Sequence, residues 1–266
     1  MLPEPREIQD PAVLALEKAW PALLAMARDD TAAAPAQACP LWGLYAPIAQ
    51  GRAAPAFVVG QLGQSLDGRV ATSTGKSRYI SGPEAIRHLH RLRALVDCVV
   101  VGVGTVAADN PQLNVREVQG PCPARVVIDP NFRLPGDARM LSDGAAPIYA
   151  IQSQARARPD GIVPLVVSAP SGRIAPADIV AALAKRGFRR ILIEGGAATV
   201  SAFLAAGALD RLHIGIAPLM IGSGPIGINL PPIDELSGAL RPTTAIHQLG
   251  GDVVFDCAFG RAEIEA

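Results

Sequence analysis

Short runs of β-branched and aliphatic residues recur along the chain, and most are separated by stretches of helical periodicity. Residues 57–62 (FVVGQL), 98–101 (CVVV), 125–129 (RVVID), 147–151, 163–168 and 191–193 read as strands, since short apolar runs bounded by turn signals suit buried strands. Residues 210–217 (DRLHIGIA) alternate as a strand does, and 253–259 supply a closing one. Asp10 and Pro11 offer an N-cap and first helical position for a helix over residues 11–28, which Pro21 should interrupt or kink. Ser81-Gly82-Pro83-Glu84 reads as a capping box that opens another helix. Further helices are expected over residues 176–186 and from the glycines after Glu194 to Ala206, with Gly207 as the stop. Strands alternating with helices and then giving way to strand-rich sequence predict an α/β fold. Its central sheet should be mostly parallel, with an antiparallel C-terminal edge and flanking helices.

Residues 29–55 break this rhythm. They are rich in alanine and proline, with Trp42 and Tyr45 as isolated aromatics, and read as an irregular arm lying across the main domain or a neighbouring subunit. The expected organisation is therefore an N-terminal helical and Ala/Pro-rich arm over residues 1–55 and one catalytic domain over 56–266.

Composition narrows the class. The chain has 266 residues, 50% hydrophobic and 18% charged, with a formal net charge of zero. That balance suits a globular protein and gives no bulk positive charge for nucleic acid. No apolar run reaches the roughly 18 residues that a membrane span requires, and the acidic, proline-bearing N-terminus does not resemble a secretory signal. Cys39, Cys98, Cys122 and Cys257 lie far apart without a C-x-x-C pair, which points to a reducing cytoplasm and away from disulfides. No histidine spacing fits a metal; His88 and His90 are two apart on a predicted helix and face different ways. No metal site is expected.

The candidate chemistry sits where predicted strands end. Glu194 terminates one strand and is followed by Gly195, Gly196 and a helix start. Strand, glycines and helix can offer bare N–H groups and a helix dipole to a phosphate, or can simply be a tight connection. A second strand ends in Gly102-Val103-Gly104-Thr105, again without the third glycine of a full dinucleotide fingerprint. The polar loop over residues 72–79 is either a ligand loop or a solvated turn. In the helix opened at Ser81, the apolar stripe is Ala85, Ile86, Leu89, Leu92 and Val96. Arg87 and Arg91 project opposite it, as solvated charges, whereas Arg93 falls beside the buried face. A guanidinium there needs an anion, either a structural carboxylate or a ligand phosphate.

Ser65-Leu66-Asp67-Gly68-Arg69, the Ser77-x-Tyr79-Ile80-Ser81 loop, Leu92-Arg93, the run from Thr105 through Asp109 and Leu113 to Arg116, Arg125-Val-Val-Ile-Asp129 and Glu194-Gly195-Gly196 occur in that order. Together they resemble the reductase domain of bacterial riboflavin biosynthesis, which is dihydrofolate-reductase-like, over residues 57–259. The resemblance implies an NADPH-dependent reduction of the ribosyl group of a pyrimidinone 5′-phosphate to a ribityl chain. It implies substrate contacts from Ser77, Arg93, Leu113, Arg116 and Glu194, with Glu194 as the catalytic carboxylate. Cofactor contacts are implied for Tyr79, Thr105, Asp109 and the stretch Gly195, Gly196, Ala197, Ala198, Thr199 and on to Ser201. Tyr79 stands where the family often has tryptophan. The H-x-E and P-C-x-x-C zinc ligands of the deaminase domain found in many bacterial members are absent, so deamination is not expected. A homodimer is expected from the resemblance. Two rival readings remain: a reductase of another dihydropterin-like or pyrimidine substrate on the same scaffold, and a non-catalytic nucleotide-binding protein.

Overall fold

The computed structural model describes residues 10–28, 39–51, 53, 55–170 and 172–260. Its centre is one nine-stranded sheet in the order β5-β4-β3-β2-β6-β1-β7-β9-β8. The strands are β1 (Phe57–Ser65), β2 (Cys98–Gly102), β3 (Ala124–Ile128), β4 (Ile148–Gln152), β5 (Ile162–Val166), β6 (Arg190–Glu194), β7 (Arg211–Ala217), β8 (Thr243–Leu249) and β9 (Asp252–Ala258). From β5 to β7 every pairing is parallel; β9 joins β7 antiparallel, and β8 closes the edge as a hairpin with β9. The sheet therefore has the parallel body and antiparallel C-terminal edge that the sequence predicts.

Both faces of the sheet are covered, which is why its central strands read as unbroken apolar runs. In β6, Leu192 faces one side and Ile191 and Ile193 the other. The first side packs Val59, Val99 and Leu192 against α1 (Pro11–Arg28), α2 (Trp42–Gln50) and α3 (Pro83–Leu95). The second packs Val58, Val100 and Ile193 against α5 (Pro176–Lys185) and α6 (Ala197–Ala205). The short α4 (Val103–Asp109) follows β2 directly and ends at Asn110, whose φ of 42° gives a left-handed cap. Gly207, at φ 62°, stops α6 as its position implied.

Five points differ from expectation. Part of the expected arm, residues 29–38, lies outside the described residues, but its second half is helix α2 rather than irregular chain. Leu44, Tyr45 and Ile48 of α2 join Leu16, Trp20 and Leu23 of α1 in the main core. At about 1.5 to 3 kcal/mol for each large side chain removed from water, this apolar face outweighs the poor helix propensity of Pro47. Pro21 does not interrupt α1, which runs through it with Asp10 as N-cap, accepting the Ala12 N–H at 2.8 Å. The capping box at α3 does not form: the N-cap is Gly82, whose N–H goes to Asp252 Oδ2 at 2.8 Å, while Glu84 pairs with Arg87. Arg91 is not solvated but 1% exposed, and its guanidinium pairs with Glu17 of α1. A helical projection of α3 alone cannot register that α1 lies over its outer side. Finally, β8 was not anticipated. Its residues are mostly exposed, so it lacks the apolar run that marked the other strands.

Candidate active site

The carboxyl ends of β2 and β6 converge beside α4 and α6, the position where α/β sheets hold ligands. Glu194, the last residue of β6, is 6% exposed, and Arg93 of α3 reaches it from below. Arg93 Nε donates to Glu194 Oε2 at 2.8 Å and Nη2 donates to Oε1 at 2.5 Å. This is the two-point geometry in which a guanidinium best holds a carboxylate. Nη1 of Arg93 donates to the Asn114 carbonyl at 2.9 Å. The anion that the buried position of Arg93 called for is thus a protein carboxylate, and it is the residue singled out for catalysis.

The segment after α4 is fixed from several sides. Leu113 is 1% exposed at a φ of 55°, a backbone state unusual for a branched residue. The Val115 N–H points to Cys122 Sγ at 3.3 Å, and the Arg116 N–H donates to His90 Nδ1 at 3.2 Å. Arg125 Nη1 donates to Asp143 Oδ1 at 2.5 Å and holds the Gln112 carbonyl at 3.4 Å. The Arg116 side chain is half-exposed, with Nη1 donating to Asn114 Oδ1 at 3.0 Å. Burial, together with the Arg93 and Arg116 cations, pushes the His90 imidazolium down to about 3.

Gly195 and Gly196 meet α4 closely. The Gly196 N–H donates to Thr105 Oγ1 at 3.1 Å, and a Cβ placed on Gly196 would lie 2.7 Å from that oxygen. Gly195 has a φ of +81°, where a side chain would also collide with Thr105. A Cβ on Gly102 would lie 2.7 Å from Thr199 Oγ1. The glycines therefore let the two strand-to-helix turns interlock, and the first turn of α6, with Ala197, Ala198 and Thr199, lies beside them. At Gly104 a Cβ would meet nothing within 4 Å, so the surface there is open.

The loop over residues 72–79 is tied to the same region. Ser77 Oγ donates to Asp109 Oδ1 at 2.9 Å, which joins a residue expected at the substrate to one expected at the cofactor. Tyr79 is 79% exposed at a φ of 70°, with the Arg78 guanidinium 5.1 Å from its ring centroid. Asp129 at the end of β3 has a structural task instead. Its carboxylate accepts from the Arg133 and Leu134 N–H groups and from Arg158 Nη1. Among the described residues, no group of three or more His, Cys, Asp or Glu side chains is arranged to hold a metal ion.

Sequence reasoning gave no site role to His90, Arg125 and Asp143, which together hold the segment around Leu113–Arg116. For His90 a signal existed, since it lies three residues before Arg93 and so shares its helix face. For Arg125 and Asp143 the partners are distant in sequence and no spacing rule links them.

Known proteins give these contacts a context. The chain is 32% identical over 209 residues to the 2,5-diamino-6-ribosylamino-4(3H)-pyrimidinone 5′-phosphate reductase of Methanothermobacter thermautotrophicus, covering 75% of this chain and 96% of that protein. It is 34% identical over 172 residues to the riboflavin biosynthesis protein RibD of Bacillus amyloliquefaciens, covering 62% of this chain but 46% of the relative. The structure of Acinetobacter baumannii RibD superposes with a TM-score of 0.66 at 26% identity, covering 80% of this chain and 60% of that one. The chain thus spans nearly the whole archaeal reductase but only about half of the bacterial RibD proteins. Across residues 56–255, enclosing every strand but the last few positions of β9, it matches one family throughout: the chain belongs to the RibD C-terminal domain family.

Proposed function

We propose that this protein is an NADPH-dependent reductase of riboflavin biosynthesis. Its substrate would be 5-amino-6-(5-phosphoribosylamino)uracil or the 2,5-diamino-pyrimidinone equivalent, and its product the ribityl form. Membership of a reductase family implies a nicotinamide cofactor. The observation that carries the reading is Glu194, a buried carboxylate gripped through both oxygens by Arg93 and followed directly by the Gly195–Gly196 turn that meets Thr105 of α4.

The residues present fit a dinucleotide. The Ala197 and Ala198 amides open α6 ahead of its first carbonyl bonds, which run from the Thr199 and Val200 N–H groups to the Gly196 carbonyl, and the helix dipole favours a diphosphate there. Thr105 Oγ1 accepts from Gly196 and keeps its own proton to donate to a phosphate oxygen. Space beside Gly104 leaves room for close approach. Ser77 and Asp109 would secure the loop that carries Tyr79, whose exposed ring offers a flat surface for the cofactor. The choice of NADPH over NADH rests on the family resemblance.

The cofactor supplies the hydride. In the ring-opened substrate the acceptor is the C1′ imine carbon, and a proton on its nitrogen makes that carbon electrophilic. Both oxygens of Glu194 already accept from Arg93, a two-point charge-assisted contact. Its remaining lone pairs would steady the protonated imine and accept from ribosyl hydroxyls, so Glu194 orients and stabilises rather than donating the proton. Arg116, half-exposed beside Asn114, would take the 5′-phosphate by charge-assisted hydrogen bonds. Leu113 would press the pyrimidinone from the buried side.

Three further parts belong to the proposal. Helices α1 and α2 act as an accessory cap on the reductase domain, since they lie outside the family match yet share its core. The chain is expected to form homodimers, supported by the open edge of β8 and by Ile246, which is 64% exposed on it. Four free thiols suit the reducing cytoplasm. The test of function is NADPH oxidation with the ribosylamino-pyrimidinone phosphate, with dihydrofolate and NADH as controls. Turnover with the phosphate alone supports the reading, whereas turnover with dihydrofolate alone overturns it.

A further inference from the structure

We propose that His90 is a positioning residue for Arg116, fixing the backbone from which that arginine would hold the substrate phosphate. This rests on the substrate role proposed for Arg116. His90 is 1% exposed on α3, one turn before Arg93. The two side chains grip one extended segment at two points. Arg93 donates to the Asn114 carbonyl at 2.9 Å, and His90 Nδ1 accepts the Arg116 N–H at 3.2 Å. The same helix face that presents Arg93 to Glu194 therefore also sets the register of residues 114–116.

The segment needs such fixing. It enters through Leu113 in the left-handed region, a strained backbone state that persists only when the surroundings over-determine it. An arginine on a loose loop would lose more conformational freedom on gripping a phosphate than one whose backbone is already held. The His90 contact also defines a tautomer. Nδ1 must present a lone pair to the Arg116 N–H, so the ring is neutral with its proton on Nε2. Burial and the flanking Arg93 and Arg116 cations keep it so.

The experiment compares His90→Leu, His90→Asn, Arg116→Ala and the double variant His90→Leu/Arg116→Ala in the full chain. KM and kcat for the pyrimidinone phosphate, cofactor Kd and melting temperature are read for each. His90→Leu keeps apolar bulk but strands the Arg116 N–H, and should raise KM on the order of tenfold with cofactor Kd unchanged. His90→Asn places an acceptor oxygen near the Nδ1 position and should recover most of that loss. The double variant should be no worse in KM than Arg116→Ala, because both act through one contact. If His90→Leu does not fold, His90→Gln, which moves the acceptor to the ε position, must show the same KM rise. A raised KM in Arg116→Ala with normal KM in His90→Leu overturns the role of His90 and leaves the phosphate site standing. Normal KM in Arg116→Ala overturns both. Loss of kcat, cofactor affinity and melting temperature together, without rescue by asparagine, reduces His90 to a core residue and overturns the proposal.

Discussion

Replacing Arg93 with alanine removes three hydrogen bonds at once: two to the oxygens of Glu194 and one to the Asn114 carbonyl. The side chains of the pair are 6% and 8% exposed, so water cannot replace the lost guanidinium. Breaking a buried ion pair from one side typically costs about 3 to 5 kcal/mol, because the other charge is left uncompensated. For a chain of this size that corresponds to a fall in melting temperature of roughly 6 to 20 °C. Activity should fall with it, since Glu194 loses its orientation and the 114–116 segment loses one of its two grips on α3. Arg87→Ala is the comparison: its partner Glu84 lies one turn away on the same helix and the Arg87 side chain is 41% exposed, so water can replace part of the lost contact and the loss should be smaller than for Arg93→Ala. A double change, Arg93→Met with Glu194→Leu, should restore much of the melting temperature but no turnover. Replacing a buried pair by apolar side chains is often neutral for stability. Thermal unfolding with steady-state kinetics on these variants separates the outcomes. If Arg93→Ala melts like wild type and only KM rises, Arg93 clamps the substrate rather than Glu194, and the reasoning is refuted.

Two other perturbations follow from the geometry. Gly196→Val should push Thr105 away and disorder the proposed diphosphate site, raising cofactor Kd more than about tenfold in a folded protein; unchanged affinity by fluorescence titration would contradict that site. Stability should also fall on acidification below about pH 6.5. His88, His90, His213 and His247 all have pKa values lowered chiefly by burial, so the unfolded chain binds their protons first. Stability is then present above the unfolded pKa and lost as pH drops toward the folded one, at about 1.4 kcal/mol per pH unit for each fully suppressed histidine. Asp256, beside His213, and Arg211, paired to it, do not reverse the sign, since burial leads every shift. Denaturant unfolding at pH 7.5, 6 and 5 checks this, and a flat profile would contradict it.

Much of the fold was legible because the central strands are buried on both faces and therefore appear as uninterrupted Val and Ile runs, as in Cys98–Gly102 and Arg190–Glu194. β8 was not legible: at a sheet edge with exposed Thr243, Thr244 and Ile246, it carries no buried run to read. α2 was hidden by its composition, because Pro47 is a local breaker whose effect tertiary burial of Leu44 and Ile48 overrides. In the site, the turns at Gly102 and Gly195 could be read from residue type, since strand-to-helix turns leave a local signature. That Arg93 binds Glu194, 101 residues away, could not. Periodicity showed that Arg93 needs an anion, but only the sheet order, which sets β6 beside β2, decides which one it meets. The same limit explains Arg91. Its place on α3 is local information, and its burial beneath Glu17 of α1 is not.

The central claim, hydride transfer to the ribosyl carbon beside Glu194, is tested most directly by isotope. The purified protein is incubated with NADPH deuterated at the transferable C4 position and with the ribosylamino-pyrimidinone phosphate, and the product is analysed by mass spectrometry. The account predicts one deuterium, located at C1′ of a ribityl phosphate. It also predicts that Glu194→Gln, which keeps the shape but removes the negative charge, slows this transfer at saturating cofactor. Product without deuterium at C1′, or no ribityl product from a folded protein that binds NADPH, would contradict it.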